Sequence, residues 1–258
     1  MDKAIIVGIY EFIGYQLCET LLQEGIEVYG IHIPTNVPDH LVEEKRLLIG
    51  RNSNFYEKDE NFLALKDSLN KETFIFFDYY SYYMKRQEDK LVQLVQSSLY
   101  REHLMQSVAL MPIQFCVQNE DRKGNLKIME SPYIFYLPTI YGPWQPSNFL
   151  MHKLLCNPNE NHVLDEREWT QDAIYVQDVI QKILYSLENQ KQDSYLLKSN
   201  IENHWSQIVM SLTDEIPKNE EKNSVVNRHF SILEVNGITF EKGLESQKKY
   251  VCQMQSFH

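Results

Sequence analysis

Residues 4 to 33 constrain this chain more tightly than any other stretch. Ala4-Ile-Ile-Val7 is an apolar run of strand length, and beyond Phe12 the residues Ile13, Leu17, Leu21 and Leu22 recur at helical spacing. The segment from Gly8 to Gly14 is therefore a strand-to-helix turn. Gly25 closes the helix, and Ile26-Glu-Val-Tyr-Gly-Ile-His32-Ile is a second apolar run. Two continuously apolar strands joined by a helix read as a βαβ unit whose strands are buried in a parallel sheet.

Such a turn binds a nucleotide pyrophosphate when it carries three glycines. The first permits the tight turn, the second lets backbone approach the phosphates, and the third packs helix on strand. Gly8 and Gly14 hold the first and third places, but Glu11 holds the second. A carboxylate about 4 Å from a phosphate oxygen costs roughly 4 kcal/mol at an effective dielectric near 20. Glu11 therefore opposes a dinucleotide. Alternatively, it accepts hydrogen bonds from the helix amides in the place of an anion, which also leaves no phosphate there. The second strand of such a unit normally ends in an acidic residue for the ribose hydroxyls, and His32 stands there instead. Should a dinucleotide bind, its contacts are expected from Gly8, Tyr10, Glu11, Phe12, Ile13 and Gly14, with His32 and Asp59 at the ends of the next two strands.

A net charge of -11 argues against nucleic acid and anionic membrane surfaces as partners. No apolar run approaches membrane-spanning length, and Met1-Asp-Lys followed by four apolar residues is no signal peptide. The four cysteines form no CxxC pair and the eight histidines no metal-ligand spacing, so a reduced cytoplasmic chain without a metal is expected.

Further strands are expected at Asn54–Asp59, Thr73–Asp78, Ser131–Pro138, Trp169–Val176 and Ser194–Leu197. Helices are expected at 41–48, at 60–69, through Leu155 after Trp144-Gln-Pro-Ser-Asn-Phe-Leu150, around 204–212 and at 241–253. Lys85 to Leu110 reads as largely helical, with Leu91, Val95, Leu99 and His103 on one stripe. Asp178 is placed to cap a helix over 179–187. Lys218 to Asn223 reads as a charged linker. Tyr79, Tyr80, Tyr82 and Tyr83 cluster beyond the fourth strand, where open α/β sheets bind ligands or cover a core edge.

Residues 2–22, Leu137-Pro-Thr-Ile-Tyr-Gly-Pro143, Asp172-Ala-Ile-Tyr-Val-Gln-Asp-Val179 and Thr239-Phe-Glu-Lys-Gly-Leu244 together resemble the extended short-chain dehydrogenases, the NAD-dependent epimerase/dehydratase group acting on nucleotide sugars. The resemblance implies an α/β, Rossmann-like, doubly wound parallel sheet with a smaller C-terminal α/β lobe. It places the dinucleotide-binding core at 1–143. Residues 144–258 then add the last core strand and helix, about 169–190, and the smaller lobe. It implies NAD or NADP, against which Glu11 and His32 stand, a nucleotide-sugar or nucleoside-like ligand, and a homodimer.

The chemistry of that family requires a tyrosine as acid/base, a lysine four residues later to lower its pKa, and a Ser or Thr to polarise the reacting oxygen. No lysine here has a tyrosine four residues before it. The nearest candidates are Tyr82, with Arg86 four residues on, Tyr100, preceded by Ser97-Ser98, and Tyr141. The stretch between Phe77 and Tyr141 is shorter than the family norm and reads as having lost the strand and helix of the catalytic triad. Tyr136 and Trp144 replace an arginine and a glycine of the family pattern.

Three readings follow. The first is a non-catalytic member serving as a binding or regulatory protein, in which Glu11→Gly restores nucleotide binding without turnover. The second is an active epimerase, dehydratase or reductase with an atypical site built on Tyr141 or the 79–83 cluster. The third is a sensor whose pocket, lined by Tyr80, Tyr83, Trp144 and Trp169, takes a ligand without a diphosphate.

Overall fold

The computed structural model describes residues 1–34, 40–64, 72–96, 106–117, 130–158, 160–214 and 230–256. The chain opens with β1 (Lys3–Val7), α1 (Phe12–Gln23), β2 (Glu27–Ile31), α2 (His40–Ile49), β3 (Phe55–Lys58), a 3-10 turn (Glu60–Ala64) and β4 (Thr73–Phe77). There follow α3 (Tyr79–Met84), α4 (Glu88–Gln96), β5 (Ser107–Pro112), α5 (Gln114–Val117), β6 (Tyr133–Leu137), β7 (Thr139–Tyr141) and α6 (Leu150–Cys156). The remainder is β8 (Ala173–Tyr175), α7 (Val176–Asn189), β9 (Ser194–Ser199), α8 (His204–Met210), β10 (Ser231–Val235) and α9 (Phe240–Ser256).

Among the described residues, eight strands form one sheet in the order β10-β9-β6-β5-β4-β1-β2-β3, and β7 pairs with β8 in a sheet of two. The registers of β1 with β2 and β4, of β2 with β3, of β4 with β5 and of β9 with β10 are parallel. This is the Rossmann-like α/β architecture expected. Its centre is apolar on both faces: Ala4 to Val7, Ile75 to Phe77 and Val108 to Met111 are all buried, as strands covered by helices require.

The chain divides into two compact units. One comprises residues 1–111, 119–135 and 192–194, the other 112–118, 136–191 and 195–258. In the first, α1 buries Phe12, Ile13, Leu17, Leu21 and Leu22, and Gly25 turns the chain at φ 79°. In the second, α7 buries Val179, Ile180, Ile183 and Leu184 at helical spacing, and α8 buries Trp205, Ile208 and Val209.

Several expectations require correction. The helix foreseen over Lys85–Leu110 breaks at Arg86, whose φ is 59°, resumes as α4 with Leu91 and Val95 buried, and gives way to β5. Ser107-Val-Ala-Leu-Met-Pro112 is buried at every position, which is the pattern of a covered parallel strand and not of a one-sided helix. The strand taken as lost is thus present. Leu99, Tyr100 and His103, and the linker at 218–223, lie outside the described residues. Only the first half of the helix expected at 60–69 is described, and it is a 3-10 turn. Asp178 is not a cap, because α7 already begins at Val176. Its Oδ2 accepts instead from the Ile238 N–H at 3.1 Å. The strand expected near Trp169 spans only Ala173–Tyr175 and pairs with β7 outside the main sheet, while β10, unforeseen, extends that sheet.

Candidate functional site

The carboxyl ends of β1, β2, β3 and β4 meet at the turn that opens α1. Gly8 adopts φ 94°, accessible to glycine, and donates its N–H to the Ile31 carbonyl at 3.0 Å. Gly14 fills the third glycine's role for a steric reason: a Cβ there would lie 2.2 Å from the Gly8 carbonyl oxygen. The first and third glycines therefore act as the sequence predicted.

The helix amides do not bond to the Glu11 carboxylate. Glu11 is the N-cap residue of α1 but makes no capping bond, and its Oε2 lies 2.9 Å from Lys85 Nζ. The amides go to α3 and the residue before it. Gly14 N–H donates to Asp78 Oδ2 at 2.8 Å, and Ile13 N–H donates to Ser81 Oγ at 3.2 Å. Asp78 Oδ1 in turn accepts from the Ser81 N–H at 3.0 Å, capping α3. One carboxylate thus holds the starts of two helices, where both dipoles are positive. Burial pushes its pKa up to about 6, against the hydrogen bonds from Ser81 and Gly14 that lower it.

Tyr10 is fully buried, and its hydroxyl donates to Glu57 Oε2 at 2.9 Å. Arg46 binds both oxygens of Glu57, with Nε to Oε2 at 3.0 Å and a terminal nitrogen to Oε1 at 2.9 Å, and stacks 5.1 Å over the Tyr10 ring. Lys45 Nζ donates to the Tyr10 carbonyl at 2.7 Å. His32 follows β2, its ring 5.4 Å from that of Tyr10, and its buried Nδ1 has no partner among the described residues. Burial lowers the His32 pKa, Glu11 opposing. The acidic side chain beside this strand end is thus Glu57 of β3, in register with Gly30, and Arg46 already engages it. Asp59 stands apart in function: its Oδ1 accepts from the Asn61 N–H at 2.9 Å and so starts the 3-10 turn.

Tyr82 is fully buried against the turn; a Cβ on Gly8 would meet Tyr82 Cε2 at 3.1 Å, Asp78 Cβ at 3.3 Å and Glu11 Cγ at 3.4 Å. Burial, Glu11 and Asp78 raise its pKa well above the usual value. Arg86 lies beyond the end of α3 in left-handed backbone, so the Tyr82/Arg86 spacing is not carried on one helix. Tyr79, Tyr80 and Tyr82 are buried, and Tyr83 is half-buried.

Tyr141 belongs to the second unit. Its ring lies 5.6 Å from Tyr175 and meets His204 edge to face at 6.1 Å, and α9 packs on it through Gly243. The buried hydroxyl has no hydrogen-bond partner among the described residues, and burial, Asp178 and Tyr175 raise its pKa. Nearby, Ser199 Oγ and His204 Nδ1 are 2.8 Å apart, and Ser199 N–H donates to Asp172 Oδ2 at 2.8 Å. Asp172 holds the serine's backbone and not the imidazole, so the three do not form a relay of the Ser-His-Asp kind. Of the residues named for a sensor pocket, Tyr80 and Tyr83 lie in the first unit, Trp144 and Trp169 in the second.

Sequence reasoning missed Asp78, Ser81, Lys85, Glu57 and Arg46. Asp78 was legible as a residue ending an apolar strand directly before a helix, the position of an N-cap. Glu57 and Arg46 come from elements whose pairing no local pattern reveals.

Among the described residues no helix is long and apolar enough to cross a membrane, and no three His, Cys, Asp or Glu side chains gather as a metal site. No family model matches the chain, nor does any curated protein. Solved structures match over nearly the whole length. UDP-glucose 4-epimerase from Thermotoga maritima, solved with UDP-glucose, is 15% identical at a TM-score of 0.67, covering 98% of this chain and 99% of that one. The dTDP-glucose 4,6-dehydratase of Bacillus anthracis, solved with NAD, is 15% identical at 0.65, covering 99% and 98%. An NAD-dependent NDP-hexosamine 5,6-dehydratase of tunicamycin biosynthesis is 16% identical at 0.58, covering 99% and 98%. At these identities the likeness is one of fold. The chain has the Rossmann-like fold of epimerases and dehydratases that act on nucleotide sugars.

Proposed function

We propose that this chain is a degenerate member of the NAD-dependent epimerase/dehydratase group that serves as a non-catalytic binding or regulatory protein. Both the Tyr/Lys proton-transfer pair and tight dinucleotide binding are gone. A small molecule of nucleotide-sugar or nucleoside type is its ligand class, with neither nucleic acid nor membrane as partner, and the working state is a cytoplasmic homodimer.

The observation that carries this reading is the surroundings of the candidate tyrosines. An acid/base tyrosine must have its pKa brought down toward neutrality by an adjacent cation. Burial above all, with Glu11 and Asp78 adding to it, raises the Tyr82 pKa; burial above all, with Asp178, Tyr175 and Glu241 adding to it, raises that of Tyr141. Both phenols are biased toward the protonated form, opposite to the bias a catalytic tyrosine needs. Tyr100 lies outside the described residues, but the sequence places leucine, not lysine, four residues beyond it.

The reading is tested by incubating the full chain with UDP-glucose or dTDP-glucose and NAD or NADP, following products by chromatography and cofactor reduction at 340 nm. No turnover is expected from the wild type or from Tyr82→Phe and Tyr141→Phe. Turnover by the wild type that Tyr141→Phe or Tyr82→Phe abolishes would establish the active, atypical enzyme instead.

A further inference from the structure

We propose that the turn between β1 and α1 is closed from within: Asp78 and Ser81 occupy the α1 amides that an external phosphate would use, making this a carboxylate-locked turn and not an anion site. The inference deepens the reading above by naming the residues that exclude the dinucleotide, and it stands or falls separately from the loss of catalysis.

A helix start offers N–H groups that have no partner within the helix, and a phosphate at a dinucleotide turn uses them. In α1 the Tyr15 N–H already belongs to the helix, bonding the Glu11 carbonyl at 2.9 Å. Ile13 and Gly14 donate to Ser81 and Asp78. Phe12 is left as the one first-turn amide without a described partner. A single donor does not make a pyrophosphate cradle.

The space above the glycine is filled as well. Tyr82, Asp78 and Glu11 all come within 3.4 Å of where a Gly8 Cβ would stand. Farther along, where a ribose would lie in a dinucleotide unit, Tyr10, Glu57 and Arg46 are bonded to one another.

Asp78 is not a gate that a ligand could push aside. Its N–H is tied to the Val7 carbonyl at 3.1 Å and its other oxygen caps α3. With a side chain one methylene long, it cannot leave Gly14 without also abandoning Ser81. The Glu11–Lys85 pair is different: it takes neither the Ile13 nor the Gly14 amide, which go to Ser81 and Asp78. Removing Glu11 therefore leaves the lock in place, in contrast to the expectation from charge alone.

The test titrates ADP and NAD into the full-length wild type, Glu11→Gly, Glu11→Gly/Ser81→Ala and Glu11→Gly/Asp78→Ala, by calorimetry. Amide hydrogen exchange at Ile13 and Gly14 is read alongside in the ligand-free wild type. Expected are protected amides at both positions, no binding by the wild type or Glu11→Gly, and binding at least about tenfold tighter, roughly 1.4 kcal/mol, once Ser81 or Asp78 is also removed. Should Glu11→Gly/Asp78→Ala fail to fold, Glu11→Gly/Ser81→Ala still frees the Ile13 amide and decides the matter. Unprotected amides, or ADP binding by Glu11→Gly equal to that of both double variants, overturn the lock while leaving the non-catalytic reading intact. Micromolar NAD binding by the wild type overturns the lock and removes the loss of dinucleotide binding from the proposed function.

Discussion

Replacing Glu168 by glutamine separates the cost of burying a charge from the value of the bonds that charge makes. Glu168 is only 4% exposed. One oxygen accepts from the Leu150 N–H at the start of α6 (2.9 Å) and the other from the Trp205 indole N–H (3.0 Å). Burial outweighs those bonds and pushes the carboxyl from its ordinary 4.5 up to about 7. The folded value lies above the unfolded one. Between those two pH values the folded chain keeps a proton that the unfolded chain has released, so stability falls as pH rises through this window and is level on either side. At about 1.4 kcal/mol per pH unit the window corresponds to about 3 kcal/mol.

Glutamine never ionises, and all other groups titrate alike in the two proteins. The stability of the wild type relative to Glu168→Gln should therefore move by about 3 kcal/mol in the wild type's favour between about pH 9 and about pH 4.5. A constant offset accompanies this change, because the glutamine amide can accept from only one of the two N–H donors and strands the other, at about 1–3 kcal/mol. The offset cancels from the comparison across pH. Urea unfolding followed by tryptophan emission, repeated at intervals across that range, supplies both curves. Parallel curves, agreeing to within about 0.5 kcal/mol once offset, would refute the claim that desolvation governs this carboxylate.

Two further outcomes follow from local geometry. Gly14→Ala must force its Cβ off the Gly8 carbonyl, 2.2 Å away, and should cost about 3 kcal/mol or more, whereas Gly25→Ala meets nothing within 4 Å and bears only the strain of φ 79°, about 1 kcal/mol; equal urea midpoints for the two would sink the steric account. Tyr141→Phe removes a buried hydroxyl that has no described partner, so thermal unfolding should show stability unchanged or raised by up to about 1 kcal/mol, and a loss beyond that would mean the hydroxyl is bonded.

The βαβ unit was legible because its signals are local. Apolar runs of strand length, helical spacing after Phe12 and glycines at the turns each act within a few residues. The strand β5 was missed because its apolar residues follow a helical stripe without a glycine or proline between them, so periodicity alone did not mark the change. At the turn, the sequence showed which residue opposes a phosphate and not which residues accept from the helix amides. Asp78 and Ser81 are 64 and 68 residues distant from their amide donors, and only the parallel pairing of β1 with β4 brings them there.

That distance also decides which effect would exclude a phosphate. An isolated Glu11 carboxylate would repel an anion by roughly 4 kcal/mol at 4 Å and an effective dielectric of 20. Lys85 stands 2.9 Å from it, so a phosphate meets a cation beside the anion and much of the repulsion cancels. No such cancellation applies to Asp78. Moving it from Gly14 strands the Ser81 N–H at the start of α3, and each buried donor left unpaired costs about 1–3 kcal/mol. Holding it in place while admitting a phosphate would bury two anions together on the same helix start. Asp78 and Ser81 satisfy donors that a phosphate would otherwise use, so the start of α1 is stable without one. A turn supported in this way holds its glycines, helix and parallel strands together without calling on a dinucleotide to stabilise them.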